Sequence, residues 1–417
     1  MLKSLLKYMI RDGALEIEDA AGQVTTYGDG STPCCRMKLH KRSLEWSLLL
    51  NPPVKLAEAY MEGDLTIEEG DLADLCTIMA LNYTYLEQHW LVKIAFALQR
   101  QGRWFKQYNP ASIARQNVAH HYDLSRRLYD LFLDSDRQYS CAYFTEPHDD
   151  IERAQRDKKR HIAAKLLLDK PDLDTLDIGC GWGGMGLYLA TVADAKVVGV
   201  TLSEEQHSLA RERAANAGLA ERCDFRLQDY RDLPETFDRI VSVGMFEHVG
   251  KKNYGEFFEK VNTLLRKDGV CLLHTIARFN EPGPINPFIR KYIFPGADVP
   301  TLSEMLPVIE KSGLLVTDVE VLRLHYAETL RLWRQQFNAN RAAVAELYDE
   351  RFCRMWDLYL VGCELGFRHQ GLTVVQVQMV RDQEALPLTR DYMLDWERAQ
   401  AAKDQAKPQT GQQQAAE

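Results

Sequence analysis

Residues 175–184 read Thr175-Leu176-Asp177-Ile178-Gly179-Cys180-Gly181-Trp182-Gly183-Gly184. An apolar run with one acid near its end breaks into a glycine-rich turn, and Leu187, Leu189 and Ala190 follow at helical spacing. The pattern is strand, tight turn, helix. Glycine at Gly179 and Gly181 tolerates positive φ and lets another molecule approach the backbone. The helix start behind the turn offers unpaired N–H groups at the positive end of a dipole. A flat nucleoside with a carboxylate tail suits such a cradle.

Glycine-rich turns after strands also bind dinucleotides, but Gly183 arrives too early for that spacing. The D-x-G-x-G-x-G order resembles motif I of S-adenosylmethionine (SAM) methyltransferases. An unrelated strand–helix turn is the alternative, and the rest of the chain weighs against it.

Downstream, strands and helices alternate. Strands are expected over Lys196–Val200, Asp224–Leu227, Arg239–Val243 and Val270–Thr275, with helices over Ser203–Ala217 and Tyr254–Leu265. Repeats of this length imply right-handed crossovers and a parallel sheet. The β-rich stretches Leu314–Leu322 and Thr373–Val380 are expected to close it as an antiparallel pair. Two insertions, Ala277–Lys311 and Tyr326–Gln370, fall at strand ends, where substrate pockets are built. The expected fold class is α/β: a Rossmann-like class I SAM-dependent methyltransferase sheet with helical insertions, plus a small N-terminal α+β domain.

That N-terminal domain is expected over residues 1–86. Leu2, Leu5, Leu6, Met9 and Ile10 share a helical face, which either docks on its own domain, the favoured reading, or anchors at a membrane surface. Leu15–Glu18 and Val24–Tyr27 alternate around Ala21-Gly22 as a hairpin, and Asp71 is placed to cap a helix running to about Asn82. A connecting helix and linker follow over 87–116, basic and aromatic at Arg100, Arg103, Trp104, Phe105 and Lys106. The catalytic domain is assigned to 117–395. The Gln/Ala/Lys-rich end, 396–417, lacks an apolar face and is expected to be disordered.

The 417 residues carry a net charge of −9, which argues against a general nucleic-acid binder. Nine cysteines without C-x-x-C spacing suggest a reduced, cytoplasmic setting and no metal site. Lys3 and Lys7 interrupt the apolar N-terminus, so it does not read as a secretory segment, and no run is long enough to span a bilayer.

Three loops converge on the glycine turn. After Val200 an acid would normally meet ribose hydroxyls. Here Thr201, Ser203 and Gln206 stand there instead, a set that can still hold a diol. Gln228-Asp229-Tyr230 ends the third strand, and its carboxylate is placed to accept from an adenine amine. Gly244-Met245-Phe246-Glu247-His248-Val249-Gly250 follows the fourth strand, and His274 ends the fifth. Pairing of those strands would bring Glu247 and His274 together. Taken alone, Glu247 could equally be a structural acid, and His274 a satisfied core histidine.

The ordered set His120-His121-Tyr122-Asp123, Gln138-Tyr139-Ser140-Cys141, Leu176 to Gly183, Val200-Thr201-Leu202-Ser203, Gln228 to Asp232, Gly244 to Gly250, Leu273-His274-Thr275 and Lys291-Tyr292-Ile293-Phe294-Pro295-Gly296 resembles cyclopropane-fatty-acyl-phospholipid synthases, and more distantly mycolic acid cyclopropane synthases. The likeness covers about residues 117–380, and the small N-terminal domain also resembles that of the bacterial phospholipid enzymes. It implies a SAM site at Tyr139, Ser140, Asp177, Gly179, Cys180, Gly181, Thr201, Ser203, Gln206, Gln228, Asp229 and Tyr230. It further implies a bicarbonate ion held by Cys141, Glu247, His274, the backbone of Ile276, and Tyr326, with a further family cysteine at Cys363. The surroundings of Cys363 depart from the family's small-residue pattern. Phe144, Trp182, Tyr292 and Phe294 are candidates to face a carbocation. The implied partners are unsaturated phospholipid acyl chains at the inner face of a membrane, bound peripherally, and a second copy of the chain. A related lipid C-methyltransferase and a catalytically silent lipid-binding protein are the competing readings.

Overall fold

The computed structural model describes residues 2–50, 52–88 and 125–406. The expectations for the linker beyond Gln88 and for His120-His121-Tyr122-Asp123 lie outside these residues.

In the N-terminal unit, α1 (Leu2–Met9) leads into β1 (Ala14–Glu18), β2 (Val24–Gly28) and β3 (Cys34–Leu39). Then come α2 (Ser43–Leu50), α3 (Pro52–Glu62), β4 (Leu65–Glu69), α4 (Leu72–Leu81) and α5 (Tyr83–Gln88). The strands lie in the order β2-β1-β3-β4. The hairpin forms as expected, with Leu15 opposite Tyr27. Asp71 starts α4 with a reciprocal capping box to Asp74. Met9 and Ile10 are buried in this unit's core, with Leu5 and Leu6 against it, so the first helix docks on its own domain.

The larger unit continues with α6 (Arg126–Asp130), α7 (Ile151–Lys165), β5 (Asp174–Ile178), α8 (Gly184–Ala193), β6 (Lys196–Thr201), α9 (Glu204–Asn216), β7 (Cys223–Leu227) and β8 (Phe237–Val243). It ends with α10 (Tyr254–Leu264), β9 (Leu265–Arg278), α11 (Leu302–Lys311), β10 (Leu315–Val321), α12 (His325–Ala339), α13 (Arg341–Leu347), α14 (Glu350–His369), β11 (Leu372–Val380) and α15 (Asp391–Ala406). The sheet order is β10-β11-β9-β8-β5-β6-β7. Strands β5 to β9 pair in parallel, and β11 pairs antiparallel with both β9 and β10. The chain order reverses beside β5, between β6 and β8. A crevice opens at such a switch point, beyond the C-terminal strand ends.

Leu176, Ile240 and Leu273 meet α10 and α11 on one face of the sheet, while Val197, Val241 and Leu272 meet α7, α8 and α9 on the other. Burial on both faces is why these strands read as unbroken apolar runs. The two insertions fold as helices over the strand ends and form a third cluster around Trp333, Phe337, Trp356 and Tyr359. Ala57 and Met61 of α3 belong to that cluster too, so the N-terminal unit supplies part of its wall.

One expectation is corrected. The segment from 396 onward is not structureless as far as Ala406: α15 packs along α7, with Met393 and Gln400 buried and Trp396 against the sheet-side core. Its docking face is largely polar. His161 meets Glu397 at 3.2 Å and Arg160 meets Asp404 at 3.4 Å. A search for an apolar stripe therefore passes over it.

Candidate active site

The glycine turn is built as the sequence requires. The N–H groups of Gly179 and Cys180 both donate to the Val200 carbonyl at 3.0 Å, tying the turn to β6. Gly181 adopts φ +54°, and a Cβ there would meet nothing within 4 Å. Gly183 adopts φ +80°, and a Cβ there would lie 2.8 Å from the Phe225 ring. One glycine thus faces open space and the other lets α8 close on the sheet. The N-cap of α8 is Gly183, which has no side chain to cap it, and the helix starts directly behind the turn, as in anion-binding helix termini.

The cleft above this turn encloses about 1230 Å³ counted to its open mouth, enough for a nucleoside-sized ligand. Its lining includes Tyr139, Ser140, Asp177, Gly179, Cys180, Gly181, Thr201, Gln206, Gln228, Asp229 and Tyr230. Ser203 does not line it. Its hydroxyl accepts from the Gln206 N–H as the N-cap of α9, while Thr201 Oγ1 donates to Gln206 Oε1 at 2.8 Å. Ser203 therefore sets the helix that presents Gln206.

Asp229 is already engaged. Its Oδ1 accepts from Arg231 N and Nε, and its Oδ2 from Arg231 Nη2 at 2.6 Å. A ligand amine reaching this carboxylate would share it with the guanidinium. Asp177 is the reverse case. Its Oδ2 is buried with no hydrogen-bond partner among the described residues, and burial raises its pKa to about 7. A buried acceptor of this kind, lining a cleft, fits a cationic amine such as that of SAM.

The strip 134–143 lies against the cleft and carries Tyr139, Ser140 and Cys141. Two polar residues of α7 hold it. Lys158 Nζ donates to Gln138 Oε1 at 2.7 Å and Ser140 Oγ at 2.8 Å, and Gln155 Nε2 donates to the Ser140 carbonyl at 2.9 Å. Lys158 is fully buried, which lowers its pKa to about 8. Neither residue was singled out from sequence. A helix reading Ile151-Glu152-Arg153-Ala154-Gln155-Arg156-Asp157-Lys158 gives no hint that its polar groups point inward.

Tyr139 is shared between the cleft and the aromatic cluster. It lines the cleft, its hydroxyl meets that of Tyr359 at 2.8 Å, and its ring stacks on Trp333 at 5.2 Å. Trp182 likewise lines the cleft and sits in the aromatic cluster. Cys141, Ile276, Tyr326 and Cys363 belong to or pack against that cluster, as do Phe144, Tyr292 and Phe294. Burial pushes the Cys141 thiol up and the Cys363 thiol up to about 12, so both stay protonated. Tyr326 packs edge-on against Trp333. Tyr359, which falls within the Tyr326–Gln370 insertion, stands near Tyr139, Tyr326 and Cys363.

Strands β8 and β9 do pair, with Val243 opposite His274, and the Gly244 N–H donates to the His274 carbonyl at 2.9 Å. Glu247 reaches two residues further: its Oε1 accepts from the Ile276 N–H at 2.7 Å, while Oε2 is buried without a hydrogen-bond partner among the described residues. Burial raises its pKa to about 7. The His274 ring bonds instead to Gln376 on β11 at 3.1 Å. Burial first, then Lys158 and Lys165, hold His274 well below the usual imidazole range, so it is neutral. An orphaned carboxylate oxygen beside a neutral imidazole's strand suits a small anion that carries its own proton. Of the Ile276 backbone expected at such an ion, the N–H is engaged by Glu247.

Comparison with known proteins agrees with this architecture. The chain matches the mycolic acid cyclopropane synthetase family over residues 111–377, and a domain of unknown function (DUF7884) over residues 1–88. It is 42% identical over 331 residues to the cyclopropane-fatty-acyl-phospholipid synthase of Escherichia coli (strain K12), spanning 79% of this chain and 83% of that one. It is also 42% identical over 287 residues to a probable fatty acid methyltransferase of Pseudomonas putida, spanning 66% and 73%. The solved mycolic acid cyclopropane synthase CmaA1, complexed with SAH and CTAB, aligns with a TM-score of 0.61 at 35% identity over 65% of this chain and 99% of that chain. The chain therefore belongs to the mycolic acid cyclopropane synthetase family of SAM-dependent methyltransferases.

Proposed function

We propose that the protein is a cyclopropane-fatty-acyl-phospholipid synthase, which converts a cis double bond of a phospholipid acyl chain into a cyclopropane ring. The observation that carries this reading is the shared wall of Tyr139 and Trp182, which puts a nucleoside-sized cleft against a buried aromatic cluster.

SAM would supply an electrophilic methyl group, and bicarbonate a small exchangeable base. The residues of this chain supply the rest. Asp177, the open side of Gly181 and the loops at Gln206 and Asp229 orient the nucleoside and its amine. The buried aromatic side chains exclude water and align the alkene, a weak nucleophile that needs close placement. Bound there, SAM would supply the carbon for the bond that the alkene π pair forms, with the C–S pair leaving on sulfur. The cation left on the acyl chain faces aromatic rings, with Phe144, Tyr292 and Phe294 as candidates. A proton then leaves the new methyl group, and its C–H pair closes the ring. Glu247 Oε2 and the neutral His274 orient the base, with Cys141, Ile276 and Tyr326 around it and Cys363 on the acyl side.

The test is incubation with SAM and vesicles of unsaturated phospholipid. Acyl chains gaining one CH2 and showing upfield cyclopropyl proton signals support the reading, and no change in the lipid defeats it. A ring-free branched chain of the same mass would instead indicate a lipid C-methyltransferase, which the equal identity to the P. putida relative favours as the second reading.

No helix among the described residues is long and apolar enough to cross a membrane. We read the enzyme as working in the cytoplasm, peripherally at the inner membrane, as a homodimer. Flotation with vesicles and sedimentation test those two points.

A further inference from the structure

His274 and Gln376 sit directly opposite each other on the antiparallel pair β9–β11. Gln376 Nε2 lies 3.1 Å from His274 Nδ1, and Gln376 Oε1 accepts from Lys165 Nζ at 2.6 Å. Lysine is a donor with no acceptor, so it dictates which end of the amide faces it. The oxygen must meet Lys165, and the NH2 group must meet His274. Nδ1 then has to accept, and the ring proton belongs on Nε2. An imidazolium would set an N–H against an N–H, so protonation is opposed by contact as well as by burial.

Lys165 is itself fixed. It pairs with Glu320, whose other neighbour is His161 at 2.6 Å, and His161 also meets Glu397. Burial opposes the charge on His161, yet Glu320 and Glu397 together raise its pKa. The charged or titratable groups facing His274 are Lys158, Lys165 and His161 on α7 and Glu320 on β10, three of them able to be cationic. Gln376 is completely buried, so no solvent competes for its amide.

We propose that Gln376, oriented by Lys165, is a positioning residue that locks His274 as the neutral imidazole with its proton on Nε2. Nε2 is then a fixed hydrogen-bond donor to the reaction centre. This rests on the functional reading for its consequence, but not for the tautomer.

The experiment is nitrogen NMR on the full-length protein labelled at histidine nitrogens, with His274→Ala assigning the signal. An Nε2-protonated, Nδ1-unprotonated ring that does not titrate across the neutral range supports the proposal. An Nδ1–H tautomer or an imidazolium overturns it, and the wild-type protein alone decides. Gln376→Glu, whose carboxylate would accept from both neighbours, should move the proton to Nδ1. It should cut kcat roughly 10–100-fold, the range seen when the outer partner of a ligating imidazole is lost, with KM for SAM unchanged. Lys165→Arg, another donor-only cation, should keep the wild-type tautomer. A moved proton with an unchanged rate would support the lock while defeating the placement of His274 at the reaction centre.

Discussion

The Ile276 N–H donates to Glu247 Oε1 at 2.7 Å, while Oε2 of the same carboxylate is buried without a hydrogen-bond partner among the described residues. The main chain thus orients the acid without satisfying it. Glu247→Gln keeps the volume and can still accept from Ile276, but it replaces the free oxygen's chemistry. Product formation should fall by roughly 100- to 10,000-fold, the usual worth of a positioned acid–base group. SAM binding, measured by calorimetry, should stay unchanged, because Glu247 does not line the cleft. Activity near wild type would remove Glu247 from the reaction centre.

Burial raises the pKa of both Asp177 and Glu247 to about 7, from ordinary values of 3.8 and 4.5. The folded state therefore binds these protons more tightly than the unfolded state. Their stabilising contribution is complete below the unfolded values and is lost as pH rises through about 7. Ligand-free protein should lose Tm across that window. Glu247→Gln and Asp177→Asn should each flatten the slope and melt higher than wild type at its alkaline end. Unaltered slopes in both would show that neither carboxyl is held in its neutral form.

Two glycines of one turn should fail differently. Gly181→Ala places its methyl in open space, so its folding cost is that of a left-handed alanine, about 1–2 kcal/mol. The space is the cleft itself, so SAM should bind roughly tenfold more weakly, ~1.4 kcal/mol. Gly183→Ala drives its methyl into Phe225 and Ala210, at 2.8 and 3.0 Å. Its loss should appear chiefly in Tm. Equal Tm losses in the two variants, with SAM affinity intact, would mean that Gly181 faces no ligand.

Arg231 holds both oxygens of Asp229, which fixes the carboxylate but also occupies it. Arg231→Met removes this clamp from the acid at the cleft wall. SAM affinity should fall severalfold, and Asp229→Asn, which loses the charge as well, should fall further. Should Arg231→Met bind SAM more tightly, the guanidinium is a competitor for Asp229 and not its support.

Much of this was legible in the sequence. The buried parallel strands announced themselves as apolar runs, and the turn at Asp177–Gly183 located the cleft. Capping at Asp71 and the hairpin around Ala21-Gly22 followed from local chemistry alone. What escaped notice was polar and buried. Lys158 and Gln155 lie on a helix dense with charge, and such helices ordinarily face water. They are inside because Gln138 and the Ser140 hydroxyl and carbonyl accept from the Lys158 ammonium and the Gln155 NH2 group, partners that the fold supplies from before β5. Gln376 was hidden for the same reason, as a polar residue in an apolar strand paired across the sheet. Pairwise satisfaction of this kind leaves no periodic trace along the chain.

The same physics governs the last helix. α15 joins α7 through Glu397 on His161 and Asp404 on Arg160, with Tyr392 receiving a hydrogen bond from Gln378 at 2.7 Å. Ending the chain after residue 390 would strip these partners and uncover the patch under Met393 and Trp396. Buried groups left unpaired cost more than their bonds contribute, so the truncated protein should melt well below wild type. His161 would lose one of its two carboxylates but keep Glu320, which also holds Lys165. The Lys165–Gln376 contact should therefore survive, and with it the SAM affinity of whatever fraction remains folded. A truncated chain with wild-type Tm would mean that α15 does not dock in solution.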